Sequence, residues 1–87
     1  MEDNRVRMRR VVYVIMNIDR TLIVKGNKGE RALVKIKNRK DKKPIATYSS
    51  RRKAENAMLE EYVNETNIRC TFDDLEVVEC YLSLYER

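Results

Sequence analysis

The chain has 87 residues, of which 43% are apolar and 38% are charged, and its formal net charge is +5. We take residues 1–87 as a single domain with a small core, because a small domain buries only about two-thirds or less of its unfolded surface. No run approaches the about 18–20 apolar residues of a membrane helix and no apolar stretch of signal-peptide length lies near the start, so we predict a cytoplasmic protein without membrane contact.

The first half of the chain predicts strands. Residues 1–9 are polar and basic, and they either fray or lead into a strand. Residues 11–18 (VVYVIMNI) are β-branched, aromatic and nearly all apolar at their start, which is typical of a central strand covered on both faces. Residues 21–25 predict the next strand, and the two glycines in residues 26–29 (GNKG) predict a hairpin turn after it.

The third strand is predicted over residues 31–37, where apolar and basic side chains alternate. Its even-numbered apolar residues are expected to face the core, and its odd-numbered residues, which include Arg31 and the apolar Leu33, are expected to face water. Residues 38–44 (NRKDKKP) form a charged loop, and residues 45–48 predict a short fourth strand after the proline.

A helix is predicted to follow. Ser49 or Ser50 is the expected N-cap, because a serine hydroxyl accepts a hydrogen bond from a free backbone N–H of the first helical turn. Apolar residues recur at helical spacing up to a predicted end near residues 64–67. The predicted apolar face consists of Ala54, Met58, Leu59, Tyr62 and Val63.

Residues 68–74 predict a connection and residues 75–85 predict the last strand. The more apolar face of that strand carries Val78, Cys80, Leu82 and Leu84. Along the chain the order is four strands, one helix and one strand. We therefore predict an α+β fold, in which one helix packs on one face of an antiparallel sheet of about five strands.

The composition argues against an enzyme. The chain has no histidine, which is the commonest general base, and the GNKG turn lies between strands, whereas a phosphate-binding loop precedes a helix. Four acids near the last strand could pair as catalytic carboxylates, but such residues usually form a solvated face. They are Asp73, Asp74, Glu76 and Glu79.

The two cysteines, Cys70 and Cys80, are expected to be buried free thiols, which is the usual state in a reducing cytoplasm. No spacing typical of metal ligands is present. We predict neither a metal nor a cofactor.

The charge is distributed unevenly along the chain. Residues 1–53 have 17 Lys and Arg against 5 Asp and Glu, a net charge of +12, whereas residues 54–87 have a net charge of −7. Such asymmetry indicates charged partners, although lysines also guard sheet edges against pairing. We predict a basic surface that binds an anionic partner. It consists of Lys35, Lys37, Arg39, Lys40, Lys42, Lys43, Arg51, Arg52 and Lys53.

Three of these cations, Arg51, Arg52 and Lys53, lie at the helix start, where the helix dipole favours acids. An anion bound there would contact the free N–H groups and the cations together. The alternative is that acids within the fold neutralise these cations, with Glu55 on the next turn as the nearest candidate. We expect an external anionic partner.

Three segments (VVYVIMNI, KPIATYSSRRKAENAMLEEY and LEVVECYL) resemble a pattern in small, largely uncharacterised proteins of phages and their bacterial hosts. In that pattern a strand ends in Ser-Ser, a helix follows, and a final strand closes the sheet. The resemblance covers most of the chain and carries no catalytic residues. It implies a compact accessory protein or inhibitor that acts by binding a component of the host or of a defence system.

Two hypotheses about function follow. The first is a non-enzymatic binding protein, a monomer or a small homo-oligomer, whose protein partner handles nucleic acids. The second is direct binding of DNA or RNA with little sequence preference, through contacts between the basic half and phosphates. No aromatic RNA-recognition motif, KH loop or helix-turn-helix pattern is present, so the sequence leaves both hypotheses open.

Overall fold

Two 11-residue strands bring the two ends of the chain together. The computed structural model describes residues 7–38, 40–64 and 66–85. The first strand, β1 (Arg7–Asn17), pairs antiparallel with the last strand, β6 (Leu75–Tyr85), along its whole length. Both predicted strands are confirmed. Residues 7–9 lead into a strand, and the expectation for residues 1–6 lies outside the described residues.

The predicted hairpin follows β1. Its strands are β2 (Leu22–Lys25) and β3 (Ala32–Lys35), which pair antiparallel. The turn requires glycine at Gly26, because φ there is 111° and a Cβ atom would lie 2.6 Å from the carbonyl oxygen of Glu30. β2 also pairs with β1, and the main sheet has the strand order β3-β2-β1-β6. β1 is therefore an inner strand, as predicted.

The segment after the charged loop joins β2 to β1. The Ala46 N–H donates to the carbonyl oxygen of Val24 over 3.1 Å, and Tyr48 and Tyr13 exchange two backbone hydrogen bonds of 2.8 and 2.9 Å. Only isolated bridges form here, so the prediction of a fourth strand over residues 45–48 is wrong. The segment crosses from β2 to β1, and its hydrogen bonds to each of them extend over too few residues to form a strand.

The helix, α1 (Arg51–Met58), begins where the sequence predicts. Ser50, one of the two predicted caps, accepts a hydrogen bond at Oγ from the Lys53 backbone N–H over 3.2 Å. Ala54 and Met58 are buried against the sheet, which confirms the start of the predicted apolar face.

The predicted end of the helix near residues 64–67 is wrong. The chain reverses after α1, and the hydroxyl of Tyr62 donates to the carbonyl oxygen of Ala57 over 2.7 Å. The same carbonyl oxygen also accepts the Glu60 N–H over 3.0 Å, so the Tyr62 hydroxyl adds a second hydrogen bond at the helix end, where carbonyl groups lack their helical partners. Leu59, predicted to extend the apolar face, is 70% exposed because the chain has already left the helix.

The residues predicted as the last helical turn form a second, smaller sheet. It consists of β4 (Tyr62–Val63) and β5 (Arg69–Cys70), which pair antiparallel, and a 3₁₀ turn then leads into β6. The main sheet and the second sheet meet at a parallel bridge between Leu33 and Asn64. The α+β class is confirmed, but the described elements run β-β-β-α-β-β-β.

The core lies between the main sheet, α1 and the second sheet. Its buried members are Ile15, Val24, Leu33, Ala46, Tyr48, Ala54, Met58, Tyr62, Cys70 and Leu75. Two expectations for β3 are wrong, because Leu33 is fully buried and Ile36 is 41% exposed. Leu33 is buried because the second sheet covers a side of β3 that would be exposed to solvent in a single sheet with one helix. Ile36 is exposed because β3 ends before it.

The predicted apolar face of β6 also needs correction. Val77, on the opposite face, packs against the core beside Leu75, and Val77, Val78 and Cys80 are all half-buried. The side chains of Leu82 and Leu84 lie outside what the structure describes. Both faces of β6 are thus partly covered where β6 crosses the body of the domain.

Asn64 holds the turn that joins β4 to β5. Its side chain is the one buried polar side chain in the described core, and Oδ1 accepts hydrogen bonds from the N–H of Thr66 over 3.0 Å and from the N–H of Ile68 over 2.7 Å. These bonds pair backbone donors that the two-residue strands cannot reach.

We expect Asn64→Ala to lower the free energy of unfolding by about 2 kcal/mol, because it leaves two backbone donors without an acceptor. Asn56→Ala is the matched control, since Asn56 is exposed on α1 and alanine favours the helix. Urea denaturation of both variants measures the difference. Equal effects of the two substitutions would contradict the role assigned to Asn64.

The two cysteines are free, and we expect them to differ in reactivity. Cys70 is buried, and burial, followed by the negative charge of Asp74, raises the pKa of its thiol. Cys80 is half-buried, which corrects the expectation of two buried thiols. In a thiol titration with an aromatic disulfide, Cys80 should react first and Cys70 only on unfolding, because the thiolate is the reactive form.

Cys80→Ser should remove the early phase of this titration, and Cys70→Ser should remove the late phase. Reductant should leave the melting temperature unchanged. A clear fall in melting temperature on reduction would instead show that the two thiols form a disulfide.

Candidate basic binding surface

The described cations of the predicted basic surface are all exposed. They lie in three groups: the end of β3 with the turn after it, the charged loop, and the first turn of α1. In this order they are Lys35, Lys37, Lys40, Lys42, Lys43, Arg51, Arg52 and Lys53. Arg39 lies outside the described residues.

The loop and the helix start are anchored to different strands. In the loop, the carbonyl oxygen of Asp41 accepts a hydrogen bond from Lys25 Nζ of β2 over 3.4 Å. At the helix start, the guanidinium of Arg51 lies over the ring of Tyr13 of β1, 5.5 Å from its centre. The described interactions include no contact between the two groups of cations. The loop is thus anchored to β2 and the helix start to β1.

Acids within the fold do not neutralise these cations in the part of the chain that the structure describes. The ion pairs found there join Arg20 to Glu76 over 3.3 Å and Arg69 to Glu61 over 2.9 Å. Both lie outside the basic surface. Glu55, the expected neutralising acid, takes part in neither pair, so the positive charge of the surface is directed to solvent.

Two of the cations at the helix start do have partners of another kind. Lys53 Nζ donates to Ser49 Oγ over 3.2 Å, and Arg51 lies over Tyr13. The Tyr13 hydroxyl in turn donates to Glu79 Oε2 over 3.2 Å. Partial burial and then this hydrogen bond raise the pKa of Tyr13. Arg51 thus belongs to a chain of contacts from α1 to β6, which partly explains a cation at this place.

Arg31 is a half-buried cation whose contacts the sequence pattern did not indicate. Its Nη1 donates to the Tyr48 hydroxyl over 3.0 Å and its guanidinium carbon lies 4.9 Å from the ring centre. Nε is buried without a described partner. Beside it, burial and then the Tyr48 hydroxyl raise the pKa of Tyr62 far above its ordinary value. The outward position predicted for Arg31 is wrong, because the residue is half-buried and its guanidinium lies over the ring of Tyr48 in the core.

The described residues contain no group of three or more Cys, Asp and Glu side chains placed to hold a metal ion. In the same residues, no helix is long and apolar enough to cross a membrane.

No protein-family model, curated protein or solved structure matches this chain.

The cost of the three cations at the helix start can be measured directly. We expect replacement of Arg51, Arg52 and Lys53 by Gln to raise the free energy of unfolding by about 0.5 kcal/mol at low salt, because it removes repulsion by the helix dipole. The lost contact with Tyr13 works against this gain. High salt should abolish the gain by screening.

The matched control replaces Lys40, Lys42 and Lys43 by Gln, which removes the same charge away from the helix. Comparing the two variants in urea denaturation isolates the contribution of the dipole. A loss of stability confined to the helix variant would mean that these cations are needed for internal contacts.

Proposed function

We propose that this chain is a non-enzymatic binding protein that uses the basic surface to bind an acidic face of a protein partner. The observation that supports this proposal is that the exposed cations of the surface have no acidic partner among the described residues. A like-signed surface of this kind raises the rate of encounter with a partner of opposite charge and selects against others.

The resemblance to accessory proteins of phages and bacteria suggests the biological setting. We propose that the partner is a host or defence-system protein that handles nucleic acids and that this chain inhibits it. We also propose the cytoplasm as the compartment, because two free cysteines suit a reducing environment.

The placement of the aromatic side chains favours a protein partner over nucleic acid. Proteins that hold single strands stack the bases on exposed aromatic rings beside their cations. In the described chain the most exposed rings are Phe72 and Tyr81, 47% and 64% exposed. They lie on the 3₁₀ turn and on β6, within the acidic part of the sequence. Phosphate contacts alone would still permit binding without sequence preference.

Three variants with equal loss of charge test the proposal. The first replaces Arg51, Arg52 and Lys53 by Gln, and the second replaces the three loop lysines by Gln. The control replaces three exposed cations outside the surface, which are Arg10, Lys28 and Arg69. We expect the first two variants to lose most of the partner captured from extract by the natural chain, and the control to retain it.

The capture is repeated with nuclease, and the natural chain is titrated with a short DNA duplex and with single-stranded RNA. Capture that survives nuclease supports a protein partner. Capture lost with nuclease, together with duplex affinity that falls with salt at a log–log slope of about −0.9 per phosphate contacted, would establish the nucleic-acid alternative. An equal loss in all three variants would show that only net charge matters.

A further inference from the structure

A groove of about 500 Å³ lies between the turn after β3 and the turn that joins β4 to β5. This volume falls within the roughly 300–1,000 Å³ of ligand pockets. The apolar residues of the groove are Leu22, Ile36 and Ile68, and its cations are Arg20, Lys35 and Lys37.

The apolar walls of the groove are exposed to solvent. Ile68 is 59% exposed and Ile36 is 41% exposed, while Leu22 between them is half-buried. Contiguous exposed apolar side chains with a polar rim are typical of binding surfaces, because leaving them in water is unfavourable.

Both walls are held in place before any ligand binds. Ile68 follows the turn fixed by Asn64, whose Oδ1 accepts its N–H over 2.7 Å. On the opposite side, the Ile36 N–H donates to the carbonyl oxygen of Thr21 over 2.9 Å. A groove with fixed walls loses little conformational entropy on binding, which favours affinity.

The charge around the groove differs between its two sides. Lys35 and Lys37 are exposed on its rim, and Arg20 pairs only with Glu76 in a contact open to solvent, which screens it. Leu22 and Ile68 also line a second pocket, whose charged residues are Asp19, Asp74 and Arg69. Since Arg69 pairs with Glu61 over 2.9 Å, the two aspartates dominate the charge on that side. A ligand carboxylate is therefore attracted to the lysine side and repelled from the aspartate side.

We propose that this groove binds a short acidic segment of a protein partner. An apolar side chain of that segment enters between Ile36 and Ile68, and its neighbouring carboxylates contact Lys35 and Lys37. The proposal deepens the proposed function and rests on it, because both lysines belong to the basic surface. It adds an apolar anchor, which gives specificity that charge alone lacks.

The test uses the natural chain, labelled with ¹⁵N, and three synthetic peptides with blocked ends. The probe is Glu-Glu-Leu-Phe-Glu-Glu, the second peptide replaces Leu-Phe by Ser-Ser, and the third replaces every Glu by Lys. We expect the probe to shift the amide signals of residues 20–22, 35–37 and 66–68. The other two peptides should bind at least about tenfold more weakly.

Variants locate the binding. Ile68→Ser should weaken the probe at least about tenfold, whereas Leu59→Ser, which removes another exposed apolar side chain outside the groove, should leave its affinity unchanged. Should Ile68→Ser fail to fold, Ile36→Ser serves the same purpose. Replacing Lys35 and Lys37 by Gln should weaken the probe and reduce its dependence on salt.

Equal binding of the Ser-Ser peptide, absence of probe binding, signal shifts elsewhere, or insensitivity to Ile68→Ser would each overturn the proposal. So would binding of decanoate in place of the probe, since it would assign the groove to a fatty acid. Failure of the probe while partner capture depends on the basic surface would reject the groove alone. Probe binding in the groove without any captured protein would instead reject the proposed function.

Discussion

The antiparallel pairing of β1 with β6 is the constraint on which the rest of this fold depends. It joins residues 7–17 to residues 75–85, so every other element lies on a chain segment whose two ends are tied together. Closing so long a loop costs conformational entropy, and an eleven-residue ladder with partly covered faces offsets that cost. The hairpin, α1 and the second sheet then have to pack within reach of this two-stranded unit.

Between these strands, polar anchors hold segments that are too short to stabilise themselves. Tyr48 forms backbone hydrogen bonds with Tyr13, and its hydroxyl accepts a hydrogen bond from the guanidinium of Arg31. Asn64 closes the turn of the second sheet, whose strands have two residues each. A buried polar group stabilises such places only when its hydrogen bonds are made. The domain therefore relies on a few specific contacts where regular ladders and helical turns are absent.

Charge and packing are largely separate in this molecule. The basic surface lies on the end of β3, a loop and one helical turn, with no acid of the described chain paired to it, while the core is formed by apolar side chains and tyrosines. The surface charge can therefore serve binding at little cost to stability. The groove beside Lys35 and Lys37 adds apolar area to that charge, and both features match the acidic and apolar segment that we propose as its ligand.

Local sequence by itself determined the two long strands, the hairpin turn at Gly26, a serine N-cap at residue 49 or 50 and the basic character of residues 1–53. Each of these follows from apolar runs, backbone conformation or charge within a few residues. Tertiary structure decided where α1 ends, which side of β3 is buried, and that Arg31 lies over the ring of Tyr48. It also placed Ile36 and Ile68 on one groove. These outcomes depend on contacts between residues far apart in sequence. The second sheet covers Leu33. After Met58 the residues have helical periodicity but form a strand, because strand pairing depends on tertiary context more than on local propensity.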